Sequence, residues 1–361
     1  MKRIVGIGAV LVAVMLITTI IDRNFLNPYN IKNILRWTGL FGLLSLGVSF
    51  VIMTGGIDLS VGSIVGLIGG LSANFIRMRG MSIALALLIC LGLAVLMGLL
   101  HGFLVTRIKV QPFVVTLCGL FIYRGLARFC LQDVTQGYGS GFQSLKFLAN
   151  GRFPSAIWGN GRVPLLIAEW SLPMPFIILI IAAVALGVLL NYSVYGRFLR
   201  ALGSNETAVR FSGVNTNQMK IVAYVISATC ACLAGILFSL DLNTVQPSTA
   251  GNMYELYAIA GCVVGGVSLK GGEGSISGVI LGTAIVRVLY NAINILGIST
   301  TLEFAVVGLV ILAGASAEEV IKSLTAKRRL EEVRSESQPE AHKSQGLESS
   351  NAPQDSAGSE G

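Results

Sequence analysis

The chain has 361 residues, 53% of them hydrophobic and only 12% charged, with a mean hydropathy of +0.75. Soluble globular domains carry about 25% charged residues, so this composition excludes a water-facing protein and makes lipid the solvent for most of the chain. The net charge of +8 and pI near 9.3 do not point to nucleic acid, because Lys and Arg stand at the ends of apolar runs and form no basic patch interleaved with aromatics.

A spanning helix needs about 20 mostly apolar residues. The first candidate, 4–21, follows Met1-Lys2-Arg3 as a signal peptide would. Its apolar part is too long for that, and Asp22-Arg23-Asn24 offers no small-residue cleavage site, so a retained span is expected. Further candidates are 38–54, 59–76, 81–105, 112–129, 164–190, 220–240, 254–269, 276–296 and 301–321. The expected fold is an all-α polytopic membrane protein of about ten transmembrane helices, in which the shorter runs could be broken or re-entrant. With that span count, Arg197, Arg200, Arg210, Lys220, Lys270, Lys322, Lys327, Arg328 and Arg329 share one side, while the loops 241–253 and 297–300 carry no Lys or Arg. The basic side should be the cytoplasm, which puts both termini inside. The first half fits less well: Arg23, Lys32, Arg36, Arg77, Arg79 and several residues of the loop 130–163 fall outside, and only Arg107 and Lys109 argue for the inside. Residues 1–325 are therefore expected to form the transmembrane domain. Residues 326–361, rich in Ser, Glu, Gln, Gly and Pro, are expected to form a disordered cytoplasmic tail.

The run VIMTGGIDLSVGSIVG, residues 51–66, breaks an apolar segment with four glycines and Asp58. Gly55 and Gly56 permit backbone angles that end a helix. Asp58 and Ser60 stand where the next helix begins, and either oxygen could accept from its free N–H groups. Asp58 is thus either a helix cap or a polar group on a translocation route. Gly62, Gly66 and Gly69–Gly70 offer a smooth face for close packing. A loosely matching stretch, IAGCVVGGVSLKGGEGSISGVILG at 259–282, suggests an internal duplication, and both segments run in the same direction.

The basic-side loop YGRFLRALGSNETAVRFSGVN, 195–215, reads as an element ending at Gly203 and a short helix from about Asn205 to Ser212. Ser204 would cap that helix, Glu206 and Arg210 would match its dipole, and Gly213 would close it. So short a helix needs support, from its own protein, a partner or the bilayer surface. Ala201, Ala208, Val209 and Phe211 give it an apolar side. Among the polar residues of the spans, Glu255, Arg287, Asn291 and Asn294 are candidate pathway contacts. The six cysteines have no zinc-finger spacing, and His101 and His342 are the only histidines, so neither a metal site nor a disulfide framework is expected. No DxxxD-like cluster, HExxH or GxSxG with a plausible histidine supports an enzyme.

The loop resembles the Gly-Arg…Ala-x-Gly-x-Asn-Glu-x-Ala-x-Arg-x-Ser-Gly segment of permease subunits of ATP-binding cassette importers for monosaccharides. GGIDLSVG, 55–62, resembles that family's other signature, and QPFVVTL at 111–117, IYRGLA at 122–127, QPSTAGNMYELYAIAGCVVGG at 246–266 and GGEGSISG at 271–278 agree in kind. The resemblance covers residues 1–321. It implies that Gly203, Asn205, Glu206, Ala208, Arg210, Ser212 and Gly213 belong to a coupling helix that docks on an ATPase subunit, with Gly196, Arg197 and Ala201 matching just before it. Thr207 and Val209 depart from the acidic and small residues usual there. The resemblance further implies a second permease subunit, a periplasmic or extracellular sugar-binding protein, and a bacterial inner-membrane location. The chain has no Walker A sequence, so ATP and Mg would sit on the partner ATPase and no cofactor on this chain. The alternative from another class is a secondary transporter driven by an ion gradient.

Overall fold

The computed structural model describes residues 2–153 and 171–297, with isolated positions at 299, 302, 305, 308, 309, 312 and 316. α1 (Lys2–Ile21) is apolar around its whole circumference, and only 6% of its spanning window is buried within the chain, so its faces suit lipid. A turn at Arg23–Leu26 leads to α2 (Pro28–Met53), whose first turn is fixed by Pro28 and by Asn27, which accepts from Tyr29 N at 2.9 Å. α2 is the centre of the bundle, with 83% of its spanning window buried. α3 (Val61–Ala73) continues as a π-helical turn, Asn74–Met78; α4 (Ile83–Phe103) continues likewise through Leu104–Ile108. α5 (Pro112–Cys130) and the short α6 (Gln143–Asn150) follow. β1 (Arg152–Phe153) pairs antiparallel with β2 (Leu172–Pro173), Arg152 opposite Pro173. Then come α7 (Met174–Tyr192), α8 (Val194–Ser204), α9 (Glu206–Phe211), α10 (Thr216–Leu242), α11 (Tyr254–Val264) and α12 (Ile276–Ile295).

Eight helices among the described residues are long and apolar enough to cross a membrane: α1, α2, α3 with its π turn, α4, α5, α7, α10 and α12. The expected span at 254–269 is corrected. α11 has 11 residues, about 16 Å at 1.5 Å per residue, half of a hydrocarbon core of about 30 Å. It stops at Gly265–Gly266, where Gly266 turns left-handed at φ 81°. The span expected at 164–190 begins, among described residues, with the helix at Met174. The expected span 301–321 (isolated positions apart) and the tail 326–361 lie outside the described residues. Met1–Ile311 forms one unit; of the second, Leu312–Gly361, only Leu312 and Ser316 are described.

Small residues set the packing. On α4, Gly98 lies against Val225 and Gly102 against Ile221 of α10, so the two helices run antiparallel in close contact. Gly47 of α2 meets Ser227 and Cys230, and Gly69 of α3 meets the Gly235 carbonyl. Without side chains at these points the backbones approach to van der Waals distance, which drives helix association where lipid removes the hydrophobic incentive. α4, α5 and α7 line the outside, with 28%, 28% and 22% of their windows buried.

Candidate coupling and translocation site

At one end of the bundle α8 is capped by Ser193, whose Oγ accepts from Gly196 N at 3.1 Å. α8 runs through Gly203 to Ser204, so the expectation that Gly203 ends an element is corrected. Gly203 is a contact glycine: a Cβ there would collide with the Met53 carbonyl at the end of α2 and with the Gly272 amide. The cap of the next helix is also corrected. Ser204 Oγ donates back to the Arg200 carbonyl, and Asn205 Oδ1 accepts from Ala208 N at 3.0 Å. A side-chain oxygen one residue further along reaches the first-turn amide, which Ser204 inside α8 cannot. The helix itself is Glu206–Phe211, shorter than the expected 205–212. Ser212 Oγ donates to the Ala208 carbonyl, and Gly213 turns away at φ 80°.

Two contacts support this single helical segment. Val209 is buried, and Glu206 pairs with Lys220 of α10 at 2.7 Å. Its other apolar side faces out: Ala208 is exposed and Phe211 is 88% exposed. Beside it, a cavity of about 940 Å³ lies between α9, the turn 105–112 and the start of α10, with Lys109, Glu206, Arg210 and Lys220 on its walls.

Three glycine turns meet under the loop. Gly272 N donates to the Met53 carbonyl at 3.0 Å, and a Cβ on Gly271 would stand 2.9 Å from the Gly203 carbonyl and 3.0 Å from Gly55 N. Gly55, Gly271 and Gly272 all have positive φ, 82°, 89° and 79°, which L side chains rarely adopt. The break after α2 and the break after α11 therefore end on the same side, and α8 rests on both. Each glycine pair is legible in the sequence; that Gly203 joins them is not. The signal was a third glycine in a loop between two strong spans.

From Thr54 to Ser60 the chain is not helical, and beyond Gly55 and Gly56 it turns back into the bundle. Asp58 is 1% exposed. Its Oδ1 accepts from Ser60 N at 3.0 Å and Ser60 Oγ at 2.6 Å, and its Oδ2 from Ser227 Oγ at 2.7 Å. Ser227 is 11 residues into α10, about 16 Å from that helix's start, so the carboxylate lies near the middle of that spanning helix. Ser60 holds the N-cap position of α3, yet neither side chain caps a first-turn amide of the helix. The expectation of a direct cap is corrected: Asp58 closes the turn before the helix and ties it to α10. Thr116 Oγ1 on α5 donates to the Ile57 carbonyl at 3.0 Å. Around this point pack His101 of α4, hydrogen-bonded to Tyr123 at 2.9 Å, and Tyr224 of α10, its ring centroid 6.1 Å from that of His101.

Gly62, on the first turn of α3, leaves room for Glu255: a Cβ there would collide with Glu255 Oε2 and with the Gly251 carbonyl. Glu255 is 6% exposed, and Arg124, which donates to the Ala250 carbonyl, is near enough to interact with it electrostatically. The other polar candidates lie elsewhere, on the second half of α12. Arg287 is buried with its guanidinium carbon 3.9 Å from the Phe41 ring centroid and 4.6 Å from that of Tyr257. Asn291 exchanges amide hydrogen bonds with Asn30, at 2.7 and 2.9 Å. Asn294 is exposed and donates to the Tyr290 carbonyl. The structure thus gathers the α8–α9 loop and the two breaks, and keeps Arg287, Asn291 and Asn294 apart from them.

Helices of spanning length, two of them linked by a segment that folds back into the bundle as far as Asp58, define a multi-pass membrane protein, and α8 rests on the glycine turn where that segment starts. Residues 30–315 match the family described as "Branched-chain amino acid transport system / permease component", and the chain belongs to it. It is 37% identical over 301 residues to a ribose import permease of Bacillus subtilis, covering 82% of this chain and 87% of the relative. It is 36% identical over 305 residues to the Escherichia coli K12 ribose import permease, covering 84% and 89%. It is 31% identical over 351 residues to the E. coli K12 xylose transport system permease protein, covering 85% and 89%. No solved structure matches the chain.

Proposed function

We propose that this chain is the membrane-spanning subunit of an ATP-binding cassette importer and carries a monosaccharide inward across the cytoplasmic membrane of a bacterium. The ribose and xylose permeases among its relatives support the substrate class. One observation supports the mechanism: Gly203 of α8 lies directly on the Met53 carbonyl and the Gly272 amide, which lets α8 and α9 act as a lever. Motion delivered to the exposed Phe211 side of α9 passes through backbone contacts to the ends of α2 and α11, with no soft side chain between to absorb it. Glycine-packed helices can then rock between two openings.

In this reading ATP and Mg bind a separate ATPase subunit, which seats α9; a periplasmic or extracellular binding protein delivers the sugar; and a second permease subunit, identical or related, completes the pathway. The chain itself binds no cofactor and catalyses no reaction. The end of the bundle that carries α8 and α9 faces the cytoplasm. The outward apolar faces of α1, α4, α5 and α7 meet lipid.

The rival is an ion-driven carrier. It is favoured by Asp58, His101 and Glu255, titratable groups inside the bundle, where such residues are costly and tend to serve transport. Reconstitution with an ATPase subunit and a sugar-binding protein in proteoliposomes separates the two. ATP-dependent uptake of D-ribose or D-xylose that disappears when the ATPase is omitted is expected. Uptake by the chain alone that an uncoupler abolishes would establish the rival.

A further inference from the structure

We propose that a slot between α2 and α12, at the end of the bundle away from the coupling loop, is a monosaccharide-binding site that selects sugar as it enters. The proposal rests on the importer reading above and deepens it.

The slot follows from helical spacing. Asn33 and Trp37 are four apart on α2, and Arg287, Tyr290, Asn291 and Asn294 fall at i, i+3, i+4 and i+7 on α12. Each set therefore occupies one face of its helix, and the two faces oppose each other around a cavity of about 230 Å³. Its position follows from the ends of the helices. Met53 and Ile276 both lie toward the coupling loop, since Gly272 bonds to Met53. Trp37 is 16 residues before Met53 and Asn294 is 18 beyond Ile276, about 24 and 27 Å along their helices. Arg287 is 11 beyond Ile276, about 16 Å. The slot therefore runs inward from an exposed Asn294 to a buried Arg287.

Its chemistry is that of a neutral polyol site. A sugar ring offers apolar C–H faces and several hydroxyls, each both donor and acceptor. Trp37 and Tyr290 supply ring faces; the Asn294 amide and the Asn33 amide, whose Oδ1 also accepts from Arg36 at 2.9 Å, supply donors and acceptors; Arg287 supplies donors at the floor. The volume is below the about 300 Å³ at which drug-sized pockets begin, which suits one sugar ring and not a nucleotide or peptide.

The frame around the slot is built to hold it open. The reciprocal Asn30–Asn291 amide pair ties α2 to α12 at the lip. Arg36 pairs with Asp241 of α10 at 3.0 Å beside it. Phe41, Phe238 and Tyr254 pack against one another behind Trp37, with centroids 4.8 to 5.1 Å apart and Phe238 6.1 Å from Trp37. Trp and Tyr with a nearby arginine also describe a membrane-interface anchor. Arg287 argues against that here: it is 5% exposed and lies over the rings of Phe41, Tyr257 and Tyr290, at 3.9, 4.6 and 5.3 Å, below the level at which a headgroup would meet it.

Trp37 is its own reporter. The only other tryptophans are Trp158 and Trp170, so the full chain carrying W158F and W170F leaves a single indole in the slot. In nanodiscs without binding protein, D-ribose or D-xylose should change its emission saturably in the millimolar range. Asn294→Ala added to this reporter should raise the half-saturating sugar concentration at least fivefold; should that variant not fold, Asn33→Ala serves in its place. A reporter that transports sugar with its ATPase and binding protein while Trp37 stays silent overturns the slot alone. So does an unchanged half-saturation in the Asn variant, or an emission that follows anionic lipid content and ignores sugar. A reporter and parent chain that both fail to take up any monosaccharide in the full assembly overturn the importer reading itself.

Discussion

Asp58 offers the sharpest test of how the break is held. The carboxylate accepts three hydrogen bonds inside the bundle, from Ser60 N, Ser60 Oγ and Ser227 Oγ. Hydrogen bonds to a charged group contribute about 1.5–3 kcal/mol each. Asp58→Ala deletes all three and leaves buried donors unmatched, a loss of roughly 4–9 kcal/mol against a total stability of about 5–15 kcal/mol. Asp58→Asn keeps the shape. Its Oδ1 still accepts from Ser60, and the Ser227 hydroxyl can rotate to accept from the new amide. The three bonds then weaken to the neutral range of about 0.5–1.5 kcal/mol each, a loss of roughly 3 kcal/mol. The order wild type, Asn, Ala should appear in apparent melting temperatures in detergent, with Asn lowered by at least about 5 °C at ~2 °C per kcal/mol. Because Asn preserves the joint between α3 and α10, its uptake below the melting point should stay within a few-fold of wild type. A folded Asn variant of unchanged melting temperature and no transport would refute this reasoning and turn Asp58 into a proton-carrying group.

Glu206→Lys breaks the ion pair with Lys220, which is partly exposed and therefore worth at most about 1 kcal/mol; thermal stability should barely change, while uptake in proteoliposomes should fall at least tenfold. Asn205→Ala should cost about 1 kcal/mol by removing the cap of α9 and lower coupled transport, and Asn205→Asp should restore it; equal transport by both would refute the cap's role. Gly203→Val would push a side chain into the Met53 carbonyl and the Gly272 amide, with an expected overpacking cost of about 1–3 kcal/mol and lost coupling of ATP hydrolysis to uptake; wild-type uptake would show that the lever does not run through this contact. Phe211→Ala, at an exposed position, should leave the melting temperature unchanged and reduce co-purification of the ATPase subunit, and undiminished co-purification would remove Phe211 from the docking face.

What the bilayer dictates locally is legible in the order of residues. Helix length follows from hydrocarbon thickness, so runs such as 4–21, 112–129 and 276–296 could be placed within a few residues of α1, α5 and α12 from apolarity alone. The loop motif was legible because capping and glycine turns are matters of neighbouring residues, although Asn205 and not Ser204 proved to be the cap. The rest depends on contacts far apart in the chain. Hydropathy extended 254–269 across the membrane because it does not register that α11 ends at Gly265. Nothing local says that residues 54–60 fold inward until Asp58 reaches Ser227, or that Arg287 lies on the rings of Phe41 and Tyr257. Gly203 looked like a helix terminator, and only packing made it the point where the loop touches both breaks. Its lack of a side chain has that meaning only once Met53 and Gly272 are brought against it.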